Sequence, residues 1–152
     1  MEPQEVRILL AEDDDGHATL IRRNMERVSP GANVTRFRDG YSVLQYLRAE
    51  LSKGGAQPPT LLLLDIRMAG IDGTEVLREM KTDPLLRAVP VYMLTTTDNP
   101  AEVNRCFELG CNAYLTKPVS YEAFVASLER LCAFLEISKL PVKPSGLKHA
   151  SA

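Results

Sequence analysis

Cysteine and histidine are scarce in this chain. Three cysteines, Cys106, Cys111 and Cys132, occur among 152 residues, odd in number and without CxxC pairing. Neither a disulfide framework nor a zinc site is suggested, and reduced, buried thiols are expected. The histidines His17 and His149 lie far apart with no metal partners beside them, so both are expected to be exposed and neither catalytic. No apolar run reaches the roughly 18 residues of a membrane span. The opening MEPQEVRILL has neither the basic start nor the long apolar stretch of a signal peptide. A cytoplasmic location is the expectation. Nor does one charge dominate: a formal net charge of -2 gives no general attraction to nucleic acid or anionic membrane.

What is present has the balance of a soluble globular protein, 45% hydrophobic and 25% charged. A chain of this length makes one domain that buries roughly two-thirds of its unfolded surface. Apolar strand-like runs at Val6–Leu10, Asn33–Phe37, Thr60–Leu64, Val91–Leu94 and Ala113–Leu115 alternate with helical segments. Those segments are His17–Val28, Tyr41–Leu51, Thr74–Lys81, Ala101–Leu109 and Tyr121–Ile137, and Phe124, Leu128, Leu131 and Leu135 make one stripe of the last. Breakers such as SPG at Ser29–Gly31 and KGGAQPP at Lys53–Pro59 separate the elements. Strand and helix in alternation predict an α/β fold, a five-stranded parallel sheet flanked by helices. TLLLL and VYML lack alternation, as inner strands covered on both faces should. The predicted domain is residues 1–137; residues 138–152, rich in Pro, Ser, Gly and Lys, predict an extended or disordered tail with no room for a second domain.

In such a sheet, ligands bind beyond the carboxyl ends of the strands. The first strand runs into AEDDDGH, Ala11 to His17, with four acids in a row. Two carboxylates about 4 Å apart repel by roughly 4 kcal/mol at an effective dielectric near 20, so either the side chains splay into water or something positive gathers them. Strand three ends in Asp65, strand four in Thr95 and strand five in Lys117. If the strands are parallel, these groups face one crevice and form a set suited to phosphoryl transfer. Carboxylates suit Mg2+, Asp65 is a candidate nucleophile, Thr95 can donate a hydrogen bond, and Lys117 supplies a point charge to a phosphoryl oxygen.

The sequence resembles the receiver domains of two-component response regulators over about residues 5 to 137, through LLAEDD, LLLLDIRMAGIDG, TT at Thr95–Thr96 and YLTKP. The resemblance implies a flavodoxin-like (βα)5 fold with strand order 2-1-3-4-5. It implies Asp65 as the phosphorylated aspartate and Mg2+ or Mn2+ as the cofactor. The metal would be held by Asp13, by Asp65, by Glu12 through water and by the backbone carbonyl of Arg67. Thr95 and Lys117 would contact the phosphoryl group, and Tyr114 would turn inward after phosphorylation. Asp14 is assigned to solvent or to capping the first helix. Ala69 replaces the family's usual proline, Glu12 its commoner aspartate, and Arg67 and Thr97 stand where they would flank the water that attacks an acyl phosphate.

The implied function is that of a single-domain regulator, a phosphoacceptor rather than an enzyme, which takes its phosphoryl group from a sensor histidine kinase or phosphotransfer protein. Output would pass through the face of helix four, strand five and helix five. Phe134, Leu135 and Ile137 extend the apolar stripe of the last helix beyond what one domain easily covers and mark a homodimer surface. The AELSKGGAQPPT connection and the tail through LP also resemble small standalone regulators paired with bacterial phytochrome kinases. Two other readings stand beside this one: a degenerate, phosphate-independent binding module, and an aspartate-nucleophile phosphatase. The phosphatase would want an aspartate where Arg67 stands.

Overall fold

The computed structural model describes residues 6–28, 31–137 and 140–141. The apolar runs form β1 (Val6–Ala11), β2 (Ala32–Phe37), β3 (Thr60–Leu64), β4 (Val91–Thr95) and β5 (Ala113–Thr116). The helices are α1 (Asp15–Val28), α2 (Gly40–Leu51), α3 (Gly73–Thr82), α4 (Pro100–Leu109) and α5 (Tyr121–Ile137). The strands lie in the order β2-β1-β3-β4-β5, every neighbouring pair parallel. Fold class and strand order are as the sequence implied.

Each strand sends alternate side chains to opposite faces, which splits the core in two. Leu9, Leu62, Leu64 and Met93 pack with Val43, Leu47, Val76, Leu77, Met80 and Cys106 under α2, α3 and α4. Ile8, Leu10, Leu61, Leu63 and Leu94 pack with Ile21, Met25, Phe124 and Leu128 under α1 and α5. β3 and β4 are buried along their whole length, so each leucine of TLLLL contributes about 1.5–3 kcal/mol by leaving water. The three cysteines are buried, as expected.

Helix starts are fixed by short acceptors. Asp14 accepts from the His17 N–H at 2.9 Å, the capping role expected of it. Asp39 accepts from Ser42 at 2.8 Å and Asp72 from Glu75 at 3.1 Å. Asn99 accepts from Ala101 at 2.9 Å behind Pro100 at the start of α4. α4 stops at Gly110, whose φ of 109° is left-handed; its N–H bonds Phe107 O and the Cys111 N–H bonds Cys106 O.

One expectation about the last helix changes. Leu135 is half-buried and packs, with Leu140, on the core beneath α1 and α5. The uncovered stripe is therefore narrower than its sequence suggests. Phe134 is 52% exposed. The side chain of Ile137, and residues 138–139 and 142–152 of the expected tail, lie outside the described residues.

Candidate functional site

The carboxyl ends of β1, β3, β4 and β5 meet in one crevice, and each site residue is fastened there by backbone bonds. Asp65 follows β3 directly, and its N–H donates to Ala11 O at 3.1 Å, sewing it to the end of β1. Glu12 follows β1 and its N–H donates to Phe37 O at 3.0 Å. The Lys117 N–H donates to Thr95 O at 2.7 Å, which ties the ends of β4 and β5 together.

The side chains then converge. One oxygen each of Glu12, Asp13 and Asp65 lies within 4.8 Å of the others. The Lys117 ammonium bridges two of them, donating to Asp65 Oδ2 at 3.1 Å and to Glu12 Oε1. Asp65 Oδ1 accepts from the Ile66 N–H at 2.7 Å, and Asp13 Oδ2 from the Ala69 N–H at 3.3 Å. Glu12 and Lys117 are almost fully buried. Thr95 is fully buried, and its hydroxyl has no hydrogen-bond partner among the described residues. Such an orphan is uncommon.

The repulsion posed by the acidic run is thus divided. Asp14 turns to the α1 cap, and Asp15 pairs with Arg36 at 2.9 Å and Arg38 at 2.7 Å. Glu12 and Asp13 remain in the crevice with Asp65. Burial, the largest influence, pushes the Glu12 carboxyl up to about 7; the Lys117 ammonium opposes that rise and the Asp65 carboxylate adds to it. A group of three hard oxygen donors, Glu12 and Asp65 buried and Asp13 half-buried, fits a divalent cation such as Mg2+ or Mn2+, which would neutralise the remaining repulsion.

Arg67 and Asp13 line one cavity of about 450 Å3 beside this cluster, together with Asp72 and Glu102. The Arg67 guanidinium is turned out to Glu102 of α4, 3.9 Å away. Tyr114 is half-buried, and its hydroxyl donates to Thr97 O at 2.8 Å, two residues past Thr95. Burial pushes that phenol up to about 12.

His17 departs from its expectation. It is half-buried rather than exposed, and its Nδ1 lies 3.1 Å from Lys117 Nζ. The sequence carried a usable signal: a residue in the first turn of the helix after β1 must overhang the carboxyl edge of the sheet. Histidine spacing alone, searched for metal partners, misses it.

Sheet and crevice together define the class: a flavodoxin-like α/β protein whose carboxyl edge carries an acidic cluster bridged by a buried lysine. The family is then plain. The family model described as "Response regulator receiver domain" matches residues 8–129, and the chain belongs to the receiver domains of two-component response regulators. It is 40% identical over 124 residues to the "Probable methanogenesis regulatory protein FilR2" of Methanothrix harundinacea, covering 82% of this chain and 79% of that one. It is 32% identical over 135 residues to "Response regulator Rcp1" of Synechocystis, covering 88% and 92%. Among solved structures, a response regulator receiver domain from Rhodospirillum rubrum superposes with a TM-score of 0.83 at 36% identity, covering 91% of this chain and 99% of that one. The phosphorylated cyanobacterial phytochrome response regulator RcpA superposes at 0.80 with 31% identity, covering 89% and 97%. The Mn2+-bound form of Rcp1 does so at 0.80 with 31% identity, covering 91% and 99%. Membership places the chain in phosphorelay signalling with a histidine kinase as partner. No described helix is long and apolar enough to cross a membrane.

Proposed function

We propose that the chain accepts a phosphoryl group on Asp65 from a phosphohistidine of a sensor kinase or phosphotransfer protein. A carboxylate oxygen of Asp65 bonds to phosphorus as the P–N bond breaks, and the bonding pair leaves with the imidazole. The observation that carries this reading is the Lys117 bridge: a buried ammonium already touches Asp65 Oδ2, where an added phosphoryl oxygen would need a donor. The unpartnered Thr95 hydroxyl supplies a second donor. Glu12, Asp13, Asp65 and the Arg67 carbonyl would hold Mg2+ or Mn2+, which when bound draws charge from the transferring group. That RcpA is solved phosphorylated and Rcp1 with Mn2+ supports both parts of the reading. Borohydride reduction of the phosphorylated protein followed by peptide mapping tests it. Homoserine should appear at position 65; conversion at another aspartate would refute the assignment.

The raised Glu12 carboxyl makes metal binding proton-linked. A cation that takes the charged form must displace the proton below about pH 7, so Mg2+ affinity should fall by up to about tenfold per pH unit there. Calorimetric titration at pH 6 and pH 8 reads the difference, and equal affinities would contradict it.

Phosphoryl contact with the Thr95 hydroxyl draws on the loop that Tyr114 already holds through Thr97, so the signal leaves through α4, β5 and α5. That side carries an apolar groove of about 400 Å3 between β5 and α5, lined by Tyr114, Leu115, Leu128 and Phe134 among others. A second copy of the chain pairs across this face. Sedimentation at tens of micromolar should show a dimer that Phe134→Asp dissociates; a monomer unaffected by the substitution would sink the pairing. A bacteriophytochrome kinase is the proposed donor, supported by the likeness to RcpA, itself described as a phytochrome response regulator. The domain is taken as residues 1–137 and residues 138–152 as its tail. The phosphatase reading gains nothing, since its second acid would fall at Arg67.

A further inference from the structure

We propose that His17 is a positioning residue for Lys117, accepting a hydrogen bond from its ammonium through an unprotonated Nδ1. The inference rests on the phosphoacceptor reading and goes beyond it. Lysine has three donors and no acceptor. In the crevice those donors meet Glu12 Oε1, Asp65 Oδ2 at 3.1 Å and His17 Nδ1 at 3.1 Å. Because an ammonium can only donate, Nδ1 must carry the lone pair, which leaves the ring proton on Nε2.

His17 is itself held on two sides. Its backbone N–H is fixed by Asp14 at 2.9 Å. Its ring meets the edge of Phe124 from α5, with centroids 5.8 Å apart at 72°. The charged groups about this contact are Lys117 from β5, Asp14 at the start of α1, and Glu12 and Asp65 behind the lysine. A flexible four-carbon stem with three rotatable donors does not fix its own head, so the partners of those donors set where it points. Glu12 and His17 hold two donors at points that phosphorylation does not remove, so the third is aimed at Asp65 and then at the phosphoryl oxygen. Protonated, His17 could not accept, and it would set a second cation beside the ammonium.

Two substitutions separate this role from simple packing. His17→Phe keeps a ring against Phe124 and loses the acceptor; His17→Asn places an amide oxygen near the Nδ1 position and loses the ring. Initial rates of phosphorylation by phosphoramidate are measured with Mg2+ at pH 8, against donor concentration, with thermal unfolding as a folding check. The rate at saturating donor should fall about tenfold in His17→Phe at pH 8, the loss of one hydrogen bond to a charged group, while His17→Asn stays within about threefold of wild type. 15N spectra of the unphosphorylated protein should show the Nε2–H tautomer.

Two results would overturn the role. One is a wild-type rate in His17→Phe with His17→Asn slower, which is the signature of packing. The other is an Nδ1–H tautomer. Each leaves Asp65 phosphorylated and the phosphoacceptor reading standing. A wild-type protein that took up no phosphoryl group at any pH would instead overturn that reading, and the role of His17 with it.

Discussion

Lys117→Met should lower phosphoryl uptake by a factor of about 10² to 10³, the usual loss when one fixed donor to a developing charge is removed. It should also destabilise the fold by about 3 kcal/mol, because a buried carboxylate loses its partner. The figure sits at the lower end for such pairs, since Glu12 can take up a proton. The pH dependence gives the cause away. Burial holds the folded Glu12 carboxyl near 7 against an ordinary 4.5. Between those values the folded chain binds a proton that the unfolded chain has lost, so this group's contribution to stability falls as pH rises from about 4.5 to about 7. Without the ammonium, the strongest of the influences that lower that pKa, the window extends upward. The variant should lose further stability between pH 7 and pH 9, where Glu12 costs the wild type nothing more. Thermal unfolding at pH 6, 7 and 9 measures this. Parallel curves for the two proteins would mean that Lys117 does not compensate Glu12.

Gly73→Ala should be as damaging without touching a charge. Gly73 opens α3, and its N–H donates to Ile66 O at 2.7 Å. A Cβ there would lie 2.1 Å from Asp65 O and 2.8 Å from Ile66 Cα. Both obstacles are backbone, so relief must move either α3 or Asp65 itself. Overpacking of this kind costs about 3 kcal/mol or more, and a displaced Asp65 should reduce phosphoryl uptake alongside. Gly31→Ala is the control, since a Cβ at Gly31 meets nothing within 4 Å. A Gly73→Ala protein as stable as that control would show that the Asp65 turn is not held by this approach.

The fold was readable because its inner strands are unmixed. TLLLL can be covered only on both faces, and SPG and KGGAQPP stand in the sequence between α1 and β2 and between α2 and β3. β3 and α5 have the expected bounds, and most other elements run on by a residue or two, where backbone pairing outlasts the apolar pattern. Strand order was not in the periodicity; it came with the resemblance. In the crevice, Glu12, Asp13, Asp65, Thr95 and Lys117 were legible because a parallel sheet puts every strand end at one edge. What escaped depends on distance across the fold. His17 reaches Lys117 over 100 positions of sequence. Arg67 turns to Glu102, which a reading of Arg67 as a neighbour of the attacking water did not foresee. Gly73 is tight only because α3 begins against Asp65, and Leu135 is half-buried because it packs on the core shared by α1 and α5.

The most direct test of Asp65 as a cation-dependent phosphoacceptor is the intact mass of the protein after incubation with acetyl phosphate, with and without Mg2+, beside Asp65→Asn. One phosphoryl group should be added to the wild type, only with Mg2+, and none to Asp65→Asn. An adduct that forms equally on Asp65→Asn, or equally without a divalent cation, would contradict it.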